Sequence, residues 1–128
     1  MKEFIPYEQA LELKELGFDE KCLAFYDGKG DSKVYYNSLR DGSGDYEPFK
    51  ATERLRWFGA PLYQQAFRWF REKYEILHLI KYETGLYEYQ FNYRANHYYG
   101  VYETYEEAEL ACLKKLIKIV ERKPEAYT

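Results

Sequence analysis

Tyr87, Tyr89, Phe91 and Tyr93 alternate one for one with Glu88, Gln90, Asn92 and Arg94. Successive side chains of a strand point to opposite faces, so this segment predicts a half-buried β-strand with one aromatic and one polar face. The flanking runs extend the pattern: Ile76 to Tyr82 lies before Thr84-Gly85, which is turn chemistry, and Tyr98 to Glu103 follows as a third, less regular strand. Together they predict an antiparallel three-stranded unit.

Helices are predicted on either side of it. Ala60 to Tyr74 carries Pro61 near its first turn and the stripe Tyr63, Ala66, Phe67, Phe70 and Tyr74, with Gln64, Arg68 and Arg71 on the other side. Thr104-Tyr105-Glu106-Glu107 fits a capping box, so a last helix runs from there to about Arg122, burying Ala108, Cys112, Leu113, Leu116, Ile117 and Val120. Its acids come first and its bases last, which complements the helix dipole.

The N-terminal part reads as a helix followed by a hairpin. Pro6 to Phe18 has Gly17 placed to stop the helix in a left-handed conformation, with Phe18 folding back on Leu13. Cys22 to Tyr26 and Lys33 to Asn37 flank the turn-rich Asp27-Gly28-Lys29-Gly30-Asp31-Ser32. Residues 38–59 lose periodicity and read as a long loop, most open around Arg40 to Asp45. The expected architecture is therefore α+β: one 128-residue domain with helix plus hairpin over 1–37, a flexible loop over 38–59 and an α-β-β-β-α unit over 60–122.

Charge is uneven along the chain. Six basic against eleven acidic residues give residues 1–47 a net −5, eight against five give 48–102 a net +3, and five against six give 103–128 a net −1. An anion site would have to lie in the middle, and the total of −3 offers no general attraction to phosphate. The N-terminus lacks the apolar core of a signal peptide and no stretch approaches a membrane span, which predicts a cytoplasmic protein without membrane association.

In element order and size, Pro61 to Arg122 resembles the double-stranded-RNA-binding domain. That family grips phosphate with lysines at the start of its last helix, where this chain has Thr104-Tyr105-Glu106-Glu107-Ala108-Glu109. Carboxylates there repel phosphate, so the resemblance implies the shape and not the activity. A second resemblance covers most of the chain outside 38–59, through Leu13 to Glu20, Gln65 to Tyr74 and Tyr102 to Leu113. These segments resemble a small uncharacterised family of bacterial genomes and prophage-like elements, which implies a mobile-element context and no assigned chemistry.

Reaction motifs are missing from the sequence. His78, read within a strand, and His97, read as a turn residue, stand outside any metal-ligand spacing, and no cofactor or metal is expected. Asp27 to Asp31 and Asp41 to Asp45 lack the ending of a calcium or phosphate loop and read as turns. Cys22 and Cys112 sit in apolar runs as small buried hydrophobes, and no catalytic residue is assigned.

The feature that remains is a basic, aromatic middle: Arg54, Arg56, Trp57 and Phe58, followed by Arg68 and Arg71. Arginine beside exposed aromatics can clamp carboxylates and phosphates or stack on bases, and the competing use of these arginines is pairing with Glu8, Glu12 and Glu15. Tyr98 and Tyr99 add a second candidate, because only one of two successive strand rings can enter the core, the other gaining interest in a patch with Tyr102 or Trp57. The resulting expectation is a non-enzymatic module that docks on a protein partner. Nucleic-acid binding through the same face, an enzyme with an unfamiliar site, and a homodimer through exposed aromatics or a sheet edge are the alternatives.

Overall fold

A computed structural model of the chain describes residues 4–26, the backbone of 34–36, and 58–121. The fold is α+β, and it divides into two compact units, Met1–Tyr63 and Gln64–Thr128.

In the first unit, helix α1 (Tyr7–Leu16) begins after Pro6, whose carbonyl accepts the first helical bond from the Ala10 amide at 2.9 Å. It ends at Gly17, with φ 108°, a conformation that costs an L side chain about 1–2 kcal/mol. The Phe18 amide donates to the Leu13 carbonyl and the Gly17 amide to that of Lys14, the paired bonds of a Schellman cap. Phe18 and Leu13 are both buried, as the sequence pattern requires.

Strands β1 (Ala24–Tyr26) and β2 (Val34–Tyr36) form the expected antiparallel hairpin, with Ala24 opposite Tyr36 and Tyr26 opposite Val34. The end of the predicted long loop departs from expectation. Phe58–Gly59 forms β3, which pairs with the other side of β1 and gives the sheet order β2-β1-β3. Gly59 permits this because a Cβ there would lie 2.6 Å from the Cys22 sulfur.

The chain then continues along the N-terminal segment. Ile5 donates to the Pro61 carbonyl at 2.8 Å and Phe4 bridges Leu62. This pairing keeps Pro61 and Leu62 extended, so the next helix, α2 (Tyr63–Tyr74), starts three residues later than the sequence suggests.

The second unit contains α2 from Gln64 onward. Ala66, Phe67 and Phe70 are buried as predicted, and so is Trp69, which lies edge-on to Phe70 and Tyr74 with Lys73 over its ring. Glu75, at φ 59°, ends the helix, and residues 75–78 stay irregular before β4 (Leu79–Glu83). His78 therefore precedes the strand rather than lying within it.

Strands β4, β5 (Leu86–Tyr93) and β6 (Asn96–Tyr102) form an antiparallel meander in that spatial order. Both hairpins use two-residue turns with positive φ, at Thr84-Gly85 and at Arg94-Ala95, which is the geometry that matches strand twist. The second turn uses neither Gly nor Asn. Sequence pattern consequently starts β6 two residues late and reads His97 as a turn, whereas His97 pairs with Asn92 across the ladder.

Helix α3 (Tyr105–Val120) closes the unit against the sheet. Its capping box is fully formed: Thr104 Oγ1 accepts from the Glu107 amide at 3.1 Å, and the Thr104 amide donates to Glu107 Oε1 at 3.3 Å. The buried stripe is Ala108, Cys112, Leu113, Leu116, Ile117 and Ile119; Val120 is only half-buried, since the helix stops there.

Candidate functional site on the open sheet face

Register assigns every side chain of the meander to a face. Tyr89 lies opposite Ile80 on one side and Gly100 on the other, and Phe91 opposite Tyr98. These, with Tyr87, Tyr93 and Tyr102, form the inner face on which α3 packs, and Tyr89 and Phe91 are its most buried members. Tyr89 stacks on Phe91 and, across Gly100, on Tyr102, with ring centroids 6.1 and 6.2 Å apart. Gly100 is the gap that lets those rings meet: a Cβ there would lie 2.6 Å from Tyr89 Cε2 and 2.9 Å from Tyr102 Cε2.

Burial raises the pKa of three groups on this side of the sheet, Tyr89, Cys112 and Glu109. Burial, then the neighbouring Tyr102 and Cys112, pushes the Tyr89 phenol up to about 12. Burial and Glu109 push the Cys112 thiol up as well. Burial and Glu106 raise the Glu109 carboxyl, against the opposing hydrogen bond from Tyr105. A thiol that stays protonated is a poor nucleophile, so Cys112 serves as packing here. In the first unit, Cys22 is likewise pushed up to about 12 by burial and Glu20.

The outer face is built differently. One cross-strand row is Leu79, Gln90 and Tyr99, the next is Lys81, Glu88 and Val101, and Glu83–Leu86 and Asn92–His97 complete it at the two ends. Tyr99 is 63% exposed, Leu79 54% and Val101 49%, with Leu86 also exposed. His97 stacks beside Tyr99 at 5.9 Å while its Nδ1 shares a 2.7 Å hydrogen bond with Asn92 Oδ1. Lys81 reaches Glu83 at 3.7 Å and Glu88 at 3.9 Å, so the one cation of these rows is matched by carboxylates. The result is a two-sided sheet: aromatic on the face that packs on α3, where Tyr89 and Phe91 are buried, and mixed apolar and polar on the other.

The residues singled out from sequence fall in different places. Tyr98 points inward, stacked on Phe91 at 5.2 Å under Lys115, and Tyr99 points outward, as alternation demands. Tyr102 shares the face of Tyr98, so it cannot join a patch with Tyr99. Arg68 and Arg71 are exposed, three residues apart on α2, and are therefore neighbours on its surface. Arg71 also bears on His78: burial first, then the Arg71 charge, lowers the imidazole pKa, and the ring stacks on Phe67 at 3.9 Å.

Phe58 is 3% exposed and packs edge-on against Tyr7 at 5.2 Å, tilted against Tyr26 at 5.7 Å, with Lys14 over its ring. It belongs to the first unit's aromatic core, which the Tyr26 hydroxyl ties to the Ile5 carbonyl at 2.6 Å. Arg54, Arg56 and Trp57 lie outside the described residues, as do the Asp27–Asp31 and Asp41–Asp45 segments. Sequence reasoning missed Leu79 and Val101 as members of a surface; the signal was their parity with Tyr99, which becomes readable only once the register is known.

Among the described residues, no group of three or more His, Cys, Asp or Glu side chains comes together as metal ligands, and no helix is long and apolar enough to cross a membrane. The fold and this surface define an α+β protein with an open-faced antiparallel meander. Compared with known proteins, the chain matches no family model, no curated protein and no solved structure.

Proposed function

We propose that the protein is a non-enzymatic interaction module that docks on a protein partner through the outer face of the β4–β5–β6 meander. The observation that carries this reading is the exposure of Tyr99 and Val101 on β6 and of Leu79 on β4 on the same face of the sheet, with Gln90 and Glu88 of β5 between them. A scattered exposed ring is ordinary, whereas several large apolar side chains on one sheet face, interleaved with polar groups, suit contact with a protein.

The charge balance favours a protein over nucleic acid. Lys81 is paired with Glu83 and Glu88, so this face lacks the cationic excess that phosphate binding needs. Arg68 and Arg71, exposed together on α2, are the observation that keeps nucleic acid as a second reading. The resemblance to prophage-borne chains makes a bacterial host protein the natural partner class.

The test is affinity capture from host lysate with and without nuclease, comparing the wild-type chain with Leu79→Asp and Val101→Asp. Capture of a stoichiometric protein that survives nuclease and is lost in both variants supports the reading. Retention of the partner by both folded variants refutes this face, and nuclease-sensitive capture abolished by Arg68→Glu favours nucleic acid instead.

A further inference from the structure

The two edges of the meander are not alike. Strand β4 carries Lys81 and Glu83 within its five residues, and a charged side chain on an edge strand is a common device against pairing with another chain. Strand β6, the other edge, reads Asn96-His97-Tyr98-Tyr99-Gly100-Val101-Tyr102 and contains no Asp, Glu, Lys, Arg or Pro. We propose that β6 pairs antiparallel with β6 of a second copy of this chain, joining two meanders into one six-stranded sheet.

Self-pairing imposes a stricter condition than pairing with an unrelated strand, because a two-fold axis brings the central residue against itself. In β4 that residue is Lys81, and two ammonium groups directly opposite repel. In β6 it is Tyr99, which is neutral, exposed and able to stack on its copy.

The register centred on Tyr99 uses all seven residues. It sets His97 opposite Val101 on the outer face, and on the inner face Tyr98 opposite Gly100 and Asn96 opposite Tyr102. Tyrosine facing glycine across a ladder already occurs inside the meander, where Tyr89 lies opposite Gly100. Alternation is kept throughout, so the two outer faces become one continuous surface with Tyr99 at its centre.

This inference concerns the chain alone and stands apart from the choice of docking partner, so purified protein tests it without lysate. Light scattering on the full chain across a concentration series is expected to approach about 31 kDa, twice the 15.5 kDa chain. Tyr99→Lys is expected to remain near the monomer mass with an unchanged circular dichroism spectrum.

If Tyr99→Lys fails to fold, mild oxidation of Tyr99→Cys and Tyr82→Cys decides the matter. Both sites are exposed and the native Cys22 and Cys112 are buried, so cross-linking reports the new thiols. The β6 pairing predicts a covalent dimer for Tyr99→Cys and little for Tyr82→Cys. A wild-type mass that stays at one chain across the series, or equal cross-linking of the two variants, overturns the proposal. Loss of partner capture in Leu79→Asp with an unchanged dimer mass would separate the docking face from the dimer edge.

Discussion

Replacing Gly100 with alanine adds one methyl group to the most tightly organised point of the meander. Gly100 is not among the described glycines with positive φ, so an alanine meets no backbone strain and the effect is one of space. The new carbon would stand 2.6 Å from Tyr89 Cε2, where ordinary carbon contacts are about 3.5–4.0 Å, so a ring must retreat by about 1 Å. Tyr89 is the ring least able to move, being buried at 3% exposure and stacked on Phe91 and Tyr102.

Overpacking of this kind costs about 1–3 kcal/mol. The reduced freedom of alanine in the unfolded chain returns about 0.4–1 kcal/mol. The net expectation is a loss of ~1–2 kcal/mol, read as a lower urea midpoint at constant slope and a Tm lower by roughly 3–8 °C. Adding Tyr89→Leu removes the obstructing ring, so the same Gly100→Ala change should cost about 1 kcal/mol less in that background. An unchanged or raised midpoint for Gly100→Ala, or strict additivity of the two changes, would refute the packing argument.

Three further changes probe other parts of the second unit. Thr104→Ala removes the hydroxyl that accepts the Glu107 amide and should cost about 1 kcal/mol by urea denaturation, with Thr104→Ser largely restoring it. Ala95→Gly relieves an alanine at φ 74° in the β5–β6 turn and should stabilise by about 1 kcal/mol; a destabilised variant would argue against the two-residue turn. The lowered pKa of His78 means that the unfolded chain takes the proton more readily. Its stabilising contribution is therefore full above pH 6.5 and is lost as pH falls from there through the lower folded value. Urea midpoints at ~pH 7.5 and ~pH 5 should fall more steeply for wild type than for His78→Leu, and parallel slopes would contradict that assignment.

Local signals in the sequence were strong wherever one residue type performs one physical task. Gly17 stopped α1 in the left-handed conformation, Thr104 and Glu107 capped α3, and the Tyr-Phe alternation of β5 placed Tyr89 and Phe91 in the core. Signals failed where long-range pairing decided the outcome. Phe58-Gly59 is too short to show a strand period and becomes β3 only because β1 offers a free edge. Pro61 and Leu62 satisfied a helix pattern but were held extended by Phe4 and Ile5. Arg94-Ala95 lacks turn composition, so the β5–β6 turn was placed around His97 instead, and the register that puts Leu79, Tyr99 and Val101 on one face could not be read. A surface whose residues come from two strands that are not consecutive has no contiguous trace in sequence.

If the open face of the meander meets a partner, binding must cover its exposed apolar side chains. Hydroxyl-radical footprinting of the captured complex against the free chain measures this directly, because Leu79, Leu86 and Val101 are exposed and reactive in the free protein, as is Leu23 in the first unit. Labelling of Leu79, Leu86 and Val101 is expected to fall on binding while that of Leu23 does not change. Undiminished labelling of Leu79 and Val101 in a stoichiometric complex would contradict it.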